Sequence, residues 1–359
     1  MTGEERWPGV AIIVLNWNGW RDTIECLESL QRITYPNYQI IVVDNGSTDD
    51  SVEKIKSWAA GELDIENSLV SYDPASKPVY VVEYDRKLAE EGGIIEQGLY
   101  IAALPSSRKL VLIHAGENLG FAAGNNVGIR YALKREYSYI GLLNNDTVVD
   151  SSFLTKLVES LQRHPHWMGI SPKILYKNDP DIIWYAGGKL KLLQAGAIHL
   201  GINHKDSELF SGEHKTEHLT GCAFFGRKEL FEKIGLLDED FFFGHEDIAY
   251  SCICKKRGQE LGVNLDAIIM HKCGGSCGKG APISVYYYNK NRLLLLKKYA
   301  SPSEQAIGFM WYILTRFIKF PLLIAKGREI EVVAEIKGCI DFLFERYGDF
   351  DRKRGGVNI

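Results

Sequence analysis

Short β-branched runs alternate with amphipathic segments through the first half of the chain, and that alternation leaves few folds open. Val10 to Leu15 and Gln39 to Asp44 are apolar at successive positions and predict strands buried on both faces. Between them Ile24, Leu27 and Leu30 recur at helical spacing, with Asp22 placed to cap that helix. After Asp44 the turn Asn45-Gly46-Ser47 leads to a second helix, capped by Thr48 or Asp49 and ending near Ala60. Lys109 to His114 and Tyr139 to Leu143 predict further strands. Glycine-rich Gly116 to Gly128 leads into a helix ending near Arg135, and Asp150 to Arg163 predicts another. Such β-α-β repetition folds as a mostly parallel sheet with helices on both faces, an α/β architecture.

Residues 61–107 break the pattern with three prolines, Gly92 and Gly93, and read as an insertion. Within it Val79 to Glu83 is strand-like and Leu88 to Leu104 partly helical. Residues 199–218 read as an exposed, His-containing loop. Helices are expected over Arg227 to Ile234, from Glu246, and from Tyr286 to near Tyr347, before a frayed tail over Asp351 to Ile359. The expected division is therefore an α/β catalytic domain over 8–285 and a helical region over 286–350. A chain of 359 residues is long enough for a large α/β domain with such an appendage.

Composition narrows the function classes. With 45% hydrophobic and 25% charged residues the chain is neither disordered nor collagenous. Lys and Arg total 42 against 46 Asp and Glu, which argues against a nucleic-acid partner. Seven cysteines, an odd number behind a polar, acidic N-terminus, read as reduced thiols of a cytoplasmic protein. The spacings of Cys252 with Cys254 and of Cys273 with Cys277 do not match common structural zinc sites. No G-x-G-x-x-G follows the first strand, and neither a P-loop nor a G-x-S-x-G elbow occurs, which argues against dinucleotide, P-loop and α/β-hydrolase chemistry.

Ligands of open parallel sheets bind beyond the carboxyl ends of the strands, and three polar clusters fall there: Asn16 with Asn18, Asp44, and Asn144-Asn145-Asp146. Asp44 can accept hydrogen bonds from a ribose or base, or cap its own turn. Asp146 suits a hard divalent cation bound to a diphosphate, or a cap for the helix near Asp150. Glu246 and Asp247 follow three phenylalanines and a glycine. Apolar surroundings raise a carboxylate's pKa, whereas a helix start favours its charge, and the two effects oppose each other. His271 closes an apolar run beside a glycine turn, where an imidazole can reach a metal or serve structure alone.

Together these segments resemble the inverting GT-A glycosyltransferases of family 2, particularly the rhamnosyltransferase-like branch. The resemblance runs through VAIIVLNWNG at 10–19, VVDNGSTDDS at 42–51, ENLGFAAGNNVGIRYA at 117–132 and LLNNDTVVD at 142–150. It continues through LTGCAFFGRKELFEKIGLLDEDFFFGHED at 219–247 and HKCGGS at 271–276, and so spans about residues 8–290 outside the insertion. It implies a GT-A fold and a nucleotide-sugar donor (dTDP-, UDP- or GDP-linked), with Asn16, Asn18, Asp44, Asn118, Gly120 and Asn145 on the donor side. It further implies Asp146 and His271 as ligands of Mg²⁺ or Mn²⁺, Asp247 as general base with Glu246 supporting it, and a saccharide or lipid-linked acceptor from cell-surface glycan synthesis. Asn144 stands where many relatives carry the first Asp of the metal motif. Ile248 to Ile253 lacks the second Asp and the Arg that often follow the E-D pair.

Two rival readings remain: a nucleotidyltransferase, which would need a basic glycine-rich loop after the first strand, and a non-catalytic sugar- or lipid-binding module. Toward the C-terminus Ile307, Met310, Trp311, Leu314 and Ile318 share a helical face, while Arg316 and Lys319 interrupt the apolar run and Pro321 should kink it. This segment is expected to lie on the cytoplasmic face of a membrane, its basic side chains reaching headgroups, or to pack on the catalytic domain or a second subunit.

Overall fold

A computed structural model of the chain describes residues 7–63, 69–273 and 281–348. Strand β1 (Val10–Asn16) pairs in parallel with β2 (Tyr38–Asp44) on one side and β5 (Tyr139–Asn144) on the other. Beyond β2 lie β4 (Lys109–His114) and the outer strand β3 (Tyr80–Asp85), also parallel. Successive residues of β1 and β2 feed opposite cores. Val10, Ile12, Val14 and Val42 pack with Ile24, Leu27 and Leu30 of α1 (Trp20–Leu30) and Trp58 of α2 (Ser51–Ala60). Ala11, Ile13, Ile41 and Val43 pack with Val127 and Ile129 of α5 (Gly120–Leu133). A strand covered on both faces must be apolar throughout, which is why these runs show no polar alternation.

The other half of the sheet is mixed. After β5 come β6 (Thr147–Val149), α6 (Phe153–Arg163) and the long strand β7 (Trp167–Tyr176). β8 (Asp179–Tyr185) pairs with β7, and β9 (Gly188–Lys191) with β10 (Gly196–His199). β11 (Glu213–Thr216) is antiparallel to β13 (Glu260–His271), and β12 (Ala223–Arg227) runs antiparallel between β5 and β7. β13 is parallel to β7, and its last residues also pair with β6. Helices α7 (Lys228–Ile234) and α8 (Glu246–Lys256) cover the second face.

Three local expectations change. Asp22 lies inside the first turn of α1, whose N-cap is Gly19, and pairs with Lys272 at 2.8 Å. The stretch read as an insertion supplies β3 together with α3 (Arg86–Glu90) and α4 (Ile95–Ala102). Its Lys77 is tied to the body by a 2.9 Å ion pair with buried Glu28 of α1. Residues 199–218 are not wholly an exposed loop: they include β11, and His218 is buried.

The C-terminal helices are α9 (Pro282–Tyr299), α10 (Pro302–Ala325) and α11 (Glu329–Leu343). Ser301 and Glu304 form a reciprocal cap at the start of α10. The helix continues through Pro321 rather than ending there: Pro321 lies on the exposed side, where the missing N–H removes one bond without burying an unpaired group. Arg316 and Lys319 do not extend outward. Both pair with Glu335 of α11, which is fully buried. The tail over Asp351 to Ile359 lies outside the described residues.

Candidate functional site

Register brings the polar strand ends together. Asn16 lies opposite Asp44, Asp44 opposite His114, and Leu15 opposite Asn144. Buried Asn16 donates from Nδ2 to Asp44 Oδ1 at 2.9 Å and accepts from Thr23 Oγ1 at 2.7 Å. Ser47 Oγ donates to Asp44 Oδ1 at 2.6 Å, and the Ser47 amide to Oδ2 at 3.2 Å. Asp44 therefore closes its own turn, as the D-N-G-S sequence allows, while standing at a strand end. Asn18 has a left-handed φ of 50° and its Oδ1 accepts from the Thr48 amide at 2.7 Å. Asn145 donates to Thr23 Oγ1 at 3.0 Å.

Asn118 and Gly120 hold loops. Asn118 Oδ1 accepts from Asn45 Nδ2 at 3.1 Å and from the Gly120 amide at 2.9 Å. Gly120 has φ +80°, and a Cβ there would fall 2.4 Å from the Phe242 carbonyl oxygen, so only glycine fits. That carbonyl accepts from the Phe121 amide at 2.7 Å. Asn126 of α5 donates to the Leu237 carbonyl at 2.9 Å, and Asn291 of α9 to the Phe243 and Gly244 carbonyls at 2.9 and 2.8 Å. The segment ahead of α8 is thus clamped from both sides.

The pairing of β6 with β13 sets Thr147 opposite His271. Asp146, one residue earlier, then meets His271, with Oδ1 and Nε2 3.1 Å apart. Cys273 Sγ lies 3.2 Å from the other ring nitrogen of His271. Asp146 and His271 are two side chains of the kinds that can ligate a metal, and among the described residues no group of three or more His, Cys, Asp or Glu is placed to hold an ion. Gly274 to Ser276 of the same motif lie outside the described residues.

Glu246 and Asp247 open α8 behind His245, which is buried with φ +75°, a strained conformation for a non-glycine residue. Asp247 Oδ2 accepts from the Gly221 amide at 2.8 Å, and Oδ1 from the Ile248 amide at 2.7 Å. His218 Nε2 lies 3.5 Å from Oδ2. Burial pushes the Asp247 carboxyl up, but His218 and the two amides outweigh it and hold it well below the usual carboxylate range. Glu246 is only 5% exposed, and its Oε2 has no hydrogen-bond partner among the described residues. Burial and the neighbouring Asp247 charge push its carboxyl up to about 8. The opposing effects read from the sequence thus fall on different residues: the Asp247 carboxyl is pulled down and the Glu246 carboxyl pushed up.

A row of rings connects the two acidic positions. His271 packs edge-on to Trp184 at 4.9 Å, Trp184 to His199 at 4.6 Å, and His199 stacks on His218 at 5.7 Å. Burial, then His218, lower the His199 imidazole to about 4, so it is neutral. Sequence reading missed Trp184, His199 and His218. The available signal was position: His218 immediately precedes the LTG segment that carries part of the resemblance.

Comparison with known proteins agrees with this architecture. The family described as Glycosyl transferase family 2 matches residues 11–71 and 100–235. The unmatched 72–99 fall within the stretch read as an insertion. The chain is 26% identical over 211 residues to the dTDP-rhamnosyl transferase RfbF of Shigella flexneri, covering 54% of this chain and 66% of that one. It is 24% identical over 151 residues to the low-salt glycan biosynthesis hexosyltransferase Agl10 of Haloferax volcanii, covering 42% and 48%. The matches thus span between about half and two thirds of these relatives. In fold the chain is similar to a mannosyltransferase, PcManGT, of Pyrobaculum calidifontis solved with GDP-Man and Mn²⁺, at TM-score 0.53 and 14% identity over 94% of this chain and 88% of that one.

Proposed function

Because the chain belongs to glycosyl transferase family 2, we propose that it moves a sugar from a nucleotide-diphosphate sugar to an acceptor hydroxyl with inversion at the anomeric carbon. The observation that carries this reading is the row of rings linking the Asp146–His271 pair to ionised Asp247. The acceptor oxygen attacks the anomeric carbon while Asp247 takes its proton. The bond from that carbon to the diphosphate breaks, and the leaving group keeps the electron pair. Glu246 stays protonated beside Asp247, so the pair carries one negative charge and the base stays ionised. Asp146 and His271 would hold Mg²⁺ or Mn²⁺, which when bound offsets the charge developing on the diphosphate. Asn16, Asn18, Asp44 and Asn145 form the donor side, where Asp44 contacts the nucleoside. Asn118 and Gly120 support that side from the adjoining loops. Holding donor and acceptor in line supplies much of the remaining rate.

Similarity to a dTDP-rhamnosyl transferase favours dTDP-rhamnose as donor, and similarity to a glycan biosynthesis hexosyltransferase favours a glycan acceptor, a saccharide or a lipid-linked sugar. The test screens dTDP-rhamnose, UDP-sugars and GDP-sugars with Mn²⁺ by thermal shift, since a ligand of the native state raises apparent stability. The stabilising donor is then incubated with candidate acceptors and the product's anomeric configuration read by NMR. An inverted product, lost in EDTA and reduced roughly 10–100-fold in Asp146→Ala, is expected. A retained configuration, or full activity in EDTA, overturns the reading.

A further inference from the structure

The α10–α11 hairpin carries its polarity inside out. From Ala306 to Ala325 every exposed residue of α10 is apolar, and so is every exposed residue of α11 from Ile330 to Leu343. Phe317 is 71% exposed and Ile318 69%. At 100° per residue, the exposed positions between Ala306 and Ala325 sweep roughly half the circumference of α10 along about 30 Å. The charges of these helices turn the other way. Glu335 is fully buried and takes both Arg316 and Lys319, the latter at 2.7 Å, while Tyr312 donates to it at 3.1 Å. Apart from the Lys319 side chain, which is 42% exposed, exposed charge on the hairpin is concentrated at the tip, with Lys326, Arg328 and Glu329.

Water is a poor occupant for an apolar face of this extent. A second copy of the chain is also a poor match. Protein interfaces carry about one hydrogen bond per 100–200 Å² and a polar rim, whereas the exposed arc of α10 offers few side-chain donors, the Trp311 indole N–H and the Lys319 ammonium among them, and the exposed residues of α11 are apolar. A lipid surface needs neither. Charge fits as well: Lys326 stands exposed at the tip beside Arg328, which also pairs with Glu331, and presents a cation to anionic headgroups.

Geometry separates lying on a bilayer from crossing it. α10, with 24 residues, is long and apolar enough to cross, but Arg316 and Lys319 tie it to Glu335 of α11, and α11 has 15 residues, about 22 Å of helix, short of the ~30 Å hydrocarbon core. The hairpin is also held to the catalytic domain through α9. Tyr286 of α9 donates to Asp341 of α11 at 3.0 Å, and Arg316 of α10 donates to Asn289 Oδ1 of α9 at 2.8 Å. α9 in turn donates from Asn291 to the segment ahead of Glu246. We propose that the α10–α11 hairpin is a docking surface for an anionic lipid bilayer, lying in the headgroup–acyl boundary with Phe317, Ile318 and Leu343 directed into it. Docking there fixes the acidic end of the catalytic site relative to the membrane plane.

The test is flotation of the full-length chain with vesicles of phosphatidylcholine and phosphatidylglycerol, beside a double variant, Phe317→Glu with Ile318→Glu. Both positions are already exposed, so the variant keeps its fold, checked by circular dichroism and melting temperature. The wild type is expected to float. The variant should bind on the order of tenfold less, since carboxylates are costly at a lipid boundary. Light scattering should give both proteins the same mass in solution. Three outcomes overturn the proposal: a wild type that stays in the soluble fraction, a variant that floats as well as wild type, and a solution dimer that the variant dissociates while neither protein floats. None of these readouts involves sugar transfer.

Discussion

The strand-end site and the C-terminal hairpin place polarity in opposite ways. At the strand ends polar side chains are buried among apolar strands, and nearly all of them are matched: Asn16 with Asp44, Asn145 with Thr23, Asp146 with His271. In the hairpin apolar side chains stand outside and the carboxylate of Glu335 is inside, paired with two cations. Folding alone explains the matched groups, because a buried polar atom without a partner is costly. It does not explain the unmatched ones. Glu246 Oε2 and His218 Nδ1 lack hydrogen-bond partners among the described residues, and the hairpin's outer face has no apolar neighbour there. In both regions function is to be sought where the inside–outside rule is broken without compensation within the chain.

The sharpest way to break this comparison is Asp247→Asn. If buried polarity at the strand ends serves chemistry, the amide should lower the melting temperature, since one of the Gly221 and Ile248 amides loses its acceptor, yet leave the folded protein's donor affinity near wild type while the transfer rate falls by roughly 10²–10⁴, the usual contribution of a general base. A rate within threefold of wild type would show that Asp247 serves the fold, as its bonds from Gly221 and Ile248 would allow.

The hairpin side is sharpened by Glu335→Ala, which leaves Arg316 and Lys319 without their shared partner. Breaking a buried pair typically costs about 3–5 kcal/mol. Lys319 is 42% exposed and can rehydrate, which lowers the expected loss to about 2 kcal/mol, read from denaturant unfolding. Unchanged stability would mean that the inward charges are incidental to the hairpin.

The strands were legible because a doubly covered strand must be apolar throughout, and β1, β2, β4 and β5 begin and end within about a residue of where the sequence places them. Helix starts were less legible: Asp22 and Asp150 are good capping residues, yet Gly19 and Ser152 hold the cap positions. The meeting of Asp146 with His271 depends on the β6–β13 register across 125 residues, a long-range pairing that no local pattern encodes; the family resemblance supplied it instead. His218 escaped notice because a lone His in a polar stretch carries no periodic signal, and its burial depends on the distant partners His199 and Tyr185. The charges of α10 were visible, but their direction was not, since Glu335 lies on another helix.

The most specific expectation concerns Glu246. A free glutamate ionises near pH 4.3, whereas burial and the adjacent Asp247 charge hold the folded Glu246 carboxyl up to about 8. Between those values the folded chain binds more protons than the unfolded one. Stability from this group is therefore fully present below about pH 4.3 and is lost as pH rises through about 8. Gln has nearly the same shape and does not titrate. Glu246→Gln should match wild type near pH 4, gain on it steadily through neutral pH, and keep a constant lead above about pH 8. About 1 kcal/mol of that lead would raise the melting temperature by roughly 2–4 °C. Melting curves across this range check it. A lead independent of pH would mean that Glu246 is ionised in the folded chain, and the strand-end site would then hold two adjacent negative charges instead of one.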